Sequence, residues 1–123
     1  MEGILDGSNY LLFSVPAQVL RKVVPAIASQ LREDITIINS AKGIEIQSGL
    51  RLSEVIKEEI LGKYHKNIIA LSGPTHAEEV AIELPSAIVA AGDLERGKKV
   101  QKIFSTDYFR VYTSQDIIGV ELG

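Results

Sequence analysis

A chain of 123 residues, 46% hydrophobic and 24% charged, is long enough for one compact domain, too short for two of ordinary size, and too apolar for intrinsic disorder. Its formal net charge of −3 leaves no basic footprint, which argues against nucleic acid as a partner, and no apolar run reaches the roughly 18 to 20 residues of a membrane span. The absence of cysteine excludes a disulfide framework and a thiolate site, and the first seven residues lack the basic-then-apolar order of a signal peptide, so a cytoplasmic location is expected.

The first apolar run, residues 10–15, is near-continuous, as expected for a strand covered on both faces. Pro16 ends it and opens a turn into a helix. There Val19, Val23, Ile27 and Leu31 repeat every four residues, with Leu20 and Val24 alongside. Pro25 interrupts this stripe, so a kink there, or a restart with Pro25 in the first turn, is expected.

A second run, 35–39, leads into Asn39-Ser40-Ala41-Lys42-Gly43-Ile44. In an open α/β sheet ligands bind outside the C-terminal ends of strands, so Lys42 sits where a cation meets an anionic ligand. A solvated loop lysine is the alternative. Leu52, Val55, Ile56 and Ile60 form the next helical stripe, which should stop near Gly62 with glycine as its C-terminal residue. Segment 63–66, with His65, reads as a solvated loop, and the pairs Glu58-Glu59 and Glu78-Glu79 as solvated surface.

The third run, 67–71, opens into Leu71-Ser72-Gly73-Pro74-Thr75-His76-Ala77-Glu78-Glu79. Thr75 can cap a short helix over about 75–83, with Glu78 reaching back to its amide. Free amides at such a helix start also attract phosphate. Capping alone accounts for Thr75 and Glu78, and His76 reads as a packing or surface residue. A fourth run follows at 87–91. Asp93 then caps a helix whose buried side is Leu94, Val100, Ile103 and Phe104. The fifth run, 109–113, alternates and suits an edge strand. Residues 116–123 read as the opening turns of a helix, and both ends of the chain look cut.

This order of strands and helices predicts a single-domain α/β sheet with mostly parallel strands. No G-x-G-x-x-G loop, Walker-type loop or G-x-S-x-G elbow is present, and two histidines are too few for a metal site. Local motifs alone assemble no complete catalytic set.

The same junctions resemble the bacterial-type NAD(P)-dependent glycerol-3-phosphate dehydrogenase family. The pieces are Leu11-Leu12-Phe13-Ser14-Val15-Pro16, Ser40-Ala41-Lys42-Gly43-Ile44-Glu45, Leu52-Ser53-Glu54-Val55, the 71–81 segment, Leu84-Pro85-Ser86-Ala87, and 104–114 leading into Asp116 to Gly123. They run in order from about residue 10 to the end. The resemblance implies the later part of a Rossmann-type cofactor domain over 1–123: a partial three-layer arrangement with helices on both faces of the sheet. It implies that Lys42 contacts both the cofactor, NAD or NADP, and the substrate. Gly73 and Thr75 would line the site for glycerol 3-phosphate and dihydroxyacetone phosphate, and Ala77 would touch the cofactor.

In the family, a glycine-rich dinucleotide loop comes earlier, and a C-terminal helical domain supplies the general-base lysine. Neither is among these residues, so the 123-residue chain alone is expected not to turn over, and the resemblance leaves room for a homodimer in the full-length enzyme. A stand-alone, non-catalytic α/β domain binding a partner chain or a phosphorylated ligand is the alternative. Ketopantoate reductases and sugar-nucleotide dehydrogenases share the fold but not the 72–75 and 42–45 pieces in this order.

Overall fold

The computed structural model describes residues 9–72, 86–105 and 109–122. Among the described residues, five strands form one sheet in sequential order: β1 (Tyr10–Phe13), β2 (Thr36–Asn39), β3 (Ile68–Ser72), β4 (Ser86–Gly92) and β5 (Phe109–Ser114). Strands β1, β2 and β3 are mutually parallel. β4 runs antiparallel to β3, and β5 is parallel to β4 at the far edge. The apolar runs thus became strands, and the alternating one became an edge strand.

Side chains of a strand alternate between faces, and here the alternation sorts them into two cores. Ile37 and Ile68 join a cluster with Leu20, Val24 and Ile27 of α1 (Leu20–Ala28) and Leu52, Val55 and Ile56 of α2 (Leu52–Glu59). Their neighbours Ile38 and Ile69 face the other way, into a cluster with Ile88, Ala90, Val111 and Val100 of α3 (Leu94–Phe104). The result is three layers, α1 and α2 on one face and α3 on the other.

Several expectations shift. Helix α1 runs unbroken through Pro25, whose exposed position leaves the Arg21 carbonyl without its usual i+4 donor on the solvent side. Its buried residues are Leu20, Val24 and Ile27, with Val23 packed partly against the same core and Leu31 buried beyond the helix end, while Val19, the residue before the helix, is exposed. Helix α2 ends at Glu59, and Gly62 does not cap it with a left-handed residue. Gly62 instead begins a 3-10 helix, Gly62–Asn67.

That 3-10 helix replaces the expected solvated loop. Tyr64 is buried and its hydroxyl donates to the Leu31 carbonyl at 2.9 Å, while His65 Nε2 lies 2.8 Å from the Lys57 carbonyl. On α3, Val100 and Gly97 are buried and Phe104 packs partly, but Leu94 and Ile103 are exposed. Asp93 caps this helix as expected, accepting from Arg96 N–H at 3.1 Å. Residues 116–122 do open a helix, α4 (Ile117–Leu122), started by Asp116 accepting from Gly119 N–H at 2.9 Å. No helix among the described residues is long and apolar enough to cross a membrane.

Candidate functional site

The parallel strands β2 and β3 end side by side, and their C-terminal ends open onto a cleft of about 740 Å3. One wall is the loop after β2, with Asn39, Ala41, Lys42 and Gly43. The floor is the end of β3 with Val89 of β4, and the opposite wall is α4 from Gly119 to Leu122. Because Ile88 and Ala90 face α3, Val89 faces the other layer, which puts the cleft and α4 on the side of α1 and α2. Ala41, Ala70, Val89 and Val120 line this side with Asn39 and Lys42, while the Leu71 side chain packs toward α3 on the other face.

The Lys42 loop is fixed from inside the chain. Asn39 is buried at the end of β2, and its side chain spans the turn. Its Oδ1 accepts from Ala41 N–H at 3.2 Å and its Nδ2 donates to the Ala41 carbonyl at 3.4 Å. Ser40 N–H donates to the Phe13 carbonyl at 2.9 Å, extending the β1–β2 ladder by one residue. Gly43 has φ +103°, a conformation that L side chains rarely adopt, so glycine is what lets the chain turn immediately after Lys42.

Helix α1 and the turn before it then grip the far side of the loop. The Gln18 side chain donates to the Ile44 carbonyl at 3.0 Å and accepts from Ile46 N–H at 2.9 Å. Arg21 forms a forked pair with Glu45, Nε to Oε2 at 2.9 Å and Nη2 to Oε1 at 2.8 Å. Ser48 Oγ donates to the same carboxylate at 2.6 Å. The Arg21 hydrogen bonds, and then that of Ser48, hold the Glu45 carboxyl down to about 2 against the opposing effect of burial. Glu45, and then Glu58, raise Arg21 above its ordinary value.

Glu58 and Glu59 were expected to be solvated surface, and Glu58 does remain half exposed. Both reach this one guanidinium, at 2.8 and 3.0 Å, because their long side chains converge from the last turn of α2. Neither this cluster nor Asn39's bridging role has a local sequence signature, although Asn39, Lys42 and Glu45 all lie in or beside the junction singled out above.

Of the expected site residues, Lys42 is on the cleft wall. Gly73, Thr75 and Ala77, with His76, Glu78, Glu79 and the short helix over 75–83, lie outside the described residues. Gly73 follows directly on Ser72, which lines the cleft. Among the described residues no group of three or more His, Asp or Glu could hold a metal ion.

The sequence profile of the family described as NAD-dependent glycerol-3-phosphate dehydrogenase N-terminus matches residues 1–97. Glycerol-3-phosphate dehydrogenase (NAD(P)+) of Clostridium tetani is 47% identical over 125 residues, covering 100% of this chain and 35% of that protein. The enzyme of the same name from Ligilactobacillus salivarius is 46% identical over 123 residues, covering 97% and 36%. Among solved structures, glycerol-3-phosphate dehydrogenase from Coxiella burnetii superposes with a TM-score of 0.81 at 30% identity, over 96% of this chain and 35% of that one. The chain spans little more than a third of the length of these relatives. With the profile matched over most of its length, the chain belongs to the NAD-dependent glycerol-3-phosphate dehydrogenase family.

Proposed function

We propose that this segment forms the substrate-facing wall of a dehydrogenase cleft in which sn-glycerol 3-phosphate and dihydroxyacetone phosphate are interconverted with NAD(P)(H), in the cytoplasm, for phospholipid backbone synthesis. The observation that carries the reading is Lys42 on the cleft wall at the C-terminal ends of β2 and β3. Its ammonium attracts a phosphorylated substrate. The apolar surfaces of Ala70, Val89 and Val120 suit a flat nicotinamide, and the polar groups of Asn39 and Lys42 suit the substrate's oxygens. The nicotinamide, when bound, supplies or accepts the hydride.

The chain's own residues bind and orient. Lys42 contacts both ligands, while Gln18, Arg21 and Asn39 keep its loop in place. Gly73 and Thr75, following Ser72, line the substrate site, and Ala77 touches the cofactor. Hydride transfer needs the carbinol held against the nicotinamide and a base for its proton. The 123 residues contain no glycine-rich dinucleotide loop. In this reading they are the later part of a Rossmann domain, and the loop and the base belong to other parts of the full-length enzyme, which is taken to act as a homodimer.

The test is NAD(P)H oxidation by the native polypeptide that carries this segment, with dihydroxyacetone phosphate and, in parallel, with unphosphorylated dihydroxyacetone. Turnover confined to the phosphorylated ketone supports the reading. No turnover, or no preference for the phosphate, contradicts it.

A further inference from the structure

Helix α2 has no local cap. Arg51 occupies its N-cap position and makes no side-chain capping bond, so the amides of the first turn need acceptors from elsewhere. One comes from 68 residues away. The Glu121 carboxylate of α4, only 8% exposed, accepts from Ser53 N–H at 2.9 Å and from the Ser53 hydroxyl. Its other contact is Arg51 Nη1 at 2.9 Å. An anion there is favoured three times over, by the open amide, by the helix dipole and by the guanidinium.

The latch joins α4, one wall of the cleft, to the start of α2, which is tied to the loop that forms the other wall. Arg51 is bridged across the loop to Ile44, and Glu45 N–H donates to the Leu50 carbonyl at 3.0 Å, so Arg51 is continuous with the turn that carries Lys42. On the other side, Gly119, Val120 and Leu122 flank Glu121 in the α4 wall.

We propose that Glu121 is a positioning residue for this cleft: its carboxylate, latched to Ser53 and Arg51, sets the spacing between the α4 wall and the Lys42 wall. The inference deepens the function proposed above and rests on it for its kinetic consequence. The latch itself can be read without any substrate.

The experiment uses Glu121→Ala, Glu121→Gln and Arg51→Gln in the native polypeptide that carries this segment. Hydrogen exchange at the Val120 amide, bonded to the Asp116 carbonyl, reports whether α4 is held. Exchange should accelerate about tenfold or more in Glu121→Ala and Arg51→Gln. Unchanged exchange in both overturns the latch, whatever the activity.

With dihydroxyacetone phosphate, kcat/KM should fall about 10- to 100-fold in Glu121→Ala, the scale of a small misplacement of reacting groups. Glu121→Gln should recover much of the loss, because an amide oxygen still accepts from Ser53. Faster exchange with kcat/KM within about twofold of the parent overturns the positioning role. Should Glu121→Ala prevent folding, Arg51→Gln carries both measurements, with faster exchange and a fall in kcat/KM expected and parent values of either overturning the corresponding claim. If Lys42→Ala leaves turnover unchanged while exchange is faster in Glu121→Ala, the function proposed for the cleft fails and the latch stands.

Discussion

Arg21 and Glu45, 24 positions apart, meet in a forked ion pair that ties helix α1 to the loop carrying Lys42. Glu45 is buried, so its carboxylate depends on this partner and on Ser48. A depressed carboxyl contributes stability that is present above its unfolded value and lost as pH falls through its folded value. For Glu45 the window runs from the ordinary 4.5 down to about 2. Urea denaturation between pH 5 and pH 2 should therefore show a shallower fall for Glu45→Gln than for the parent. Parallel profiles would contradict the pairing.

Gly92 ends β4 with φ +143°, and a Cβ there would stand 2.6 Å from the Ile68 carbonyl oxygen. The contact is backbone, so neighbouring side chains cannot relieve it by changing rotamer. Gly92→Ala should cost about 2 kcal/mol or more, from the strained dihedral and the displaced β3–β4 pairing. Thermal denaturation of the variant checks this.

Gln18 makes two hydrogen bonds to the backbone of the Lys42 loop, both exposed. Gln18→Ala should lower stability by only about 1 kcal/mol. Its larger effect should be on turnover, through a looser Lys42. A kcat/KM loss no greater than that of an unrelated exposed glutamine variant would rule this out.

Asp93 caps α3 through Arg96 N–H. Asp93→Ala should destabilise by about 1 kcal/mol. Because α3 lies on the face away from the cleft, the substrate KM should not move.

The strands were legible because residues 35–39 and 67–70 are buried throughout, which leaves continuous apolar runs. The position of Lys42 on the cleft wall was legible from its place after such a run. Asp93 was legible because capping is local chemistry. What escaped was decided by tertiary contact. The convergence of Glu58 and Glu59 on Arg21 depends on how α2 packs against α1. The role of Glu121 as a cap for α2 depends on an approach across more than half of the chain. A lone glutamate near one end of a sequence carries no sign of a helix start 68 residues earlier.

The measurement that bears most directly on the central claim is kcat/KM for dihydroxyacetone phosphate in Lys42→Ala, made in the native polypeptide that carries this segment. A fall of about 100-fold or more, with folding intact, is the result expected if Lys42 holds substrate against the cofactor. A value within about twofold of the parent would show that the cleft between β2, β3 and α4 is not where the reaction takes place.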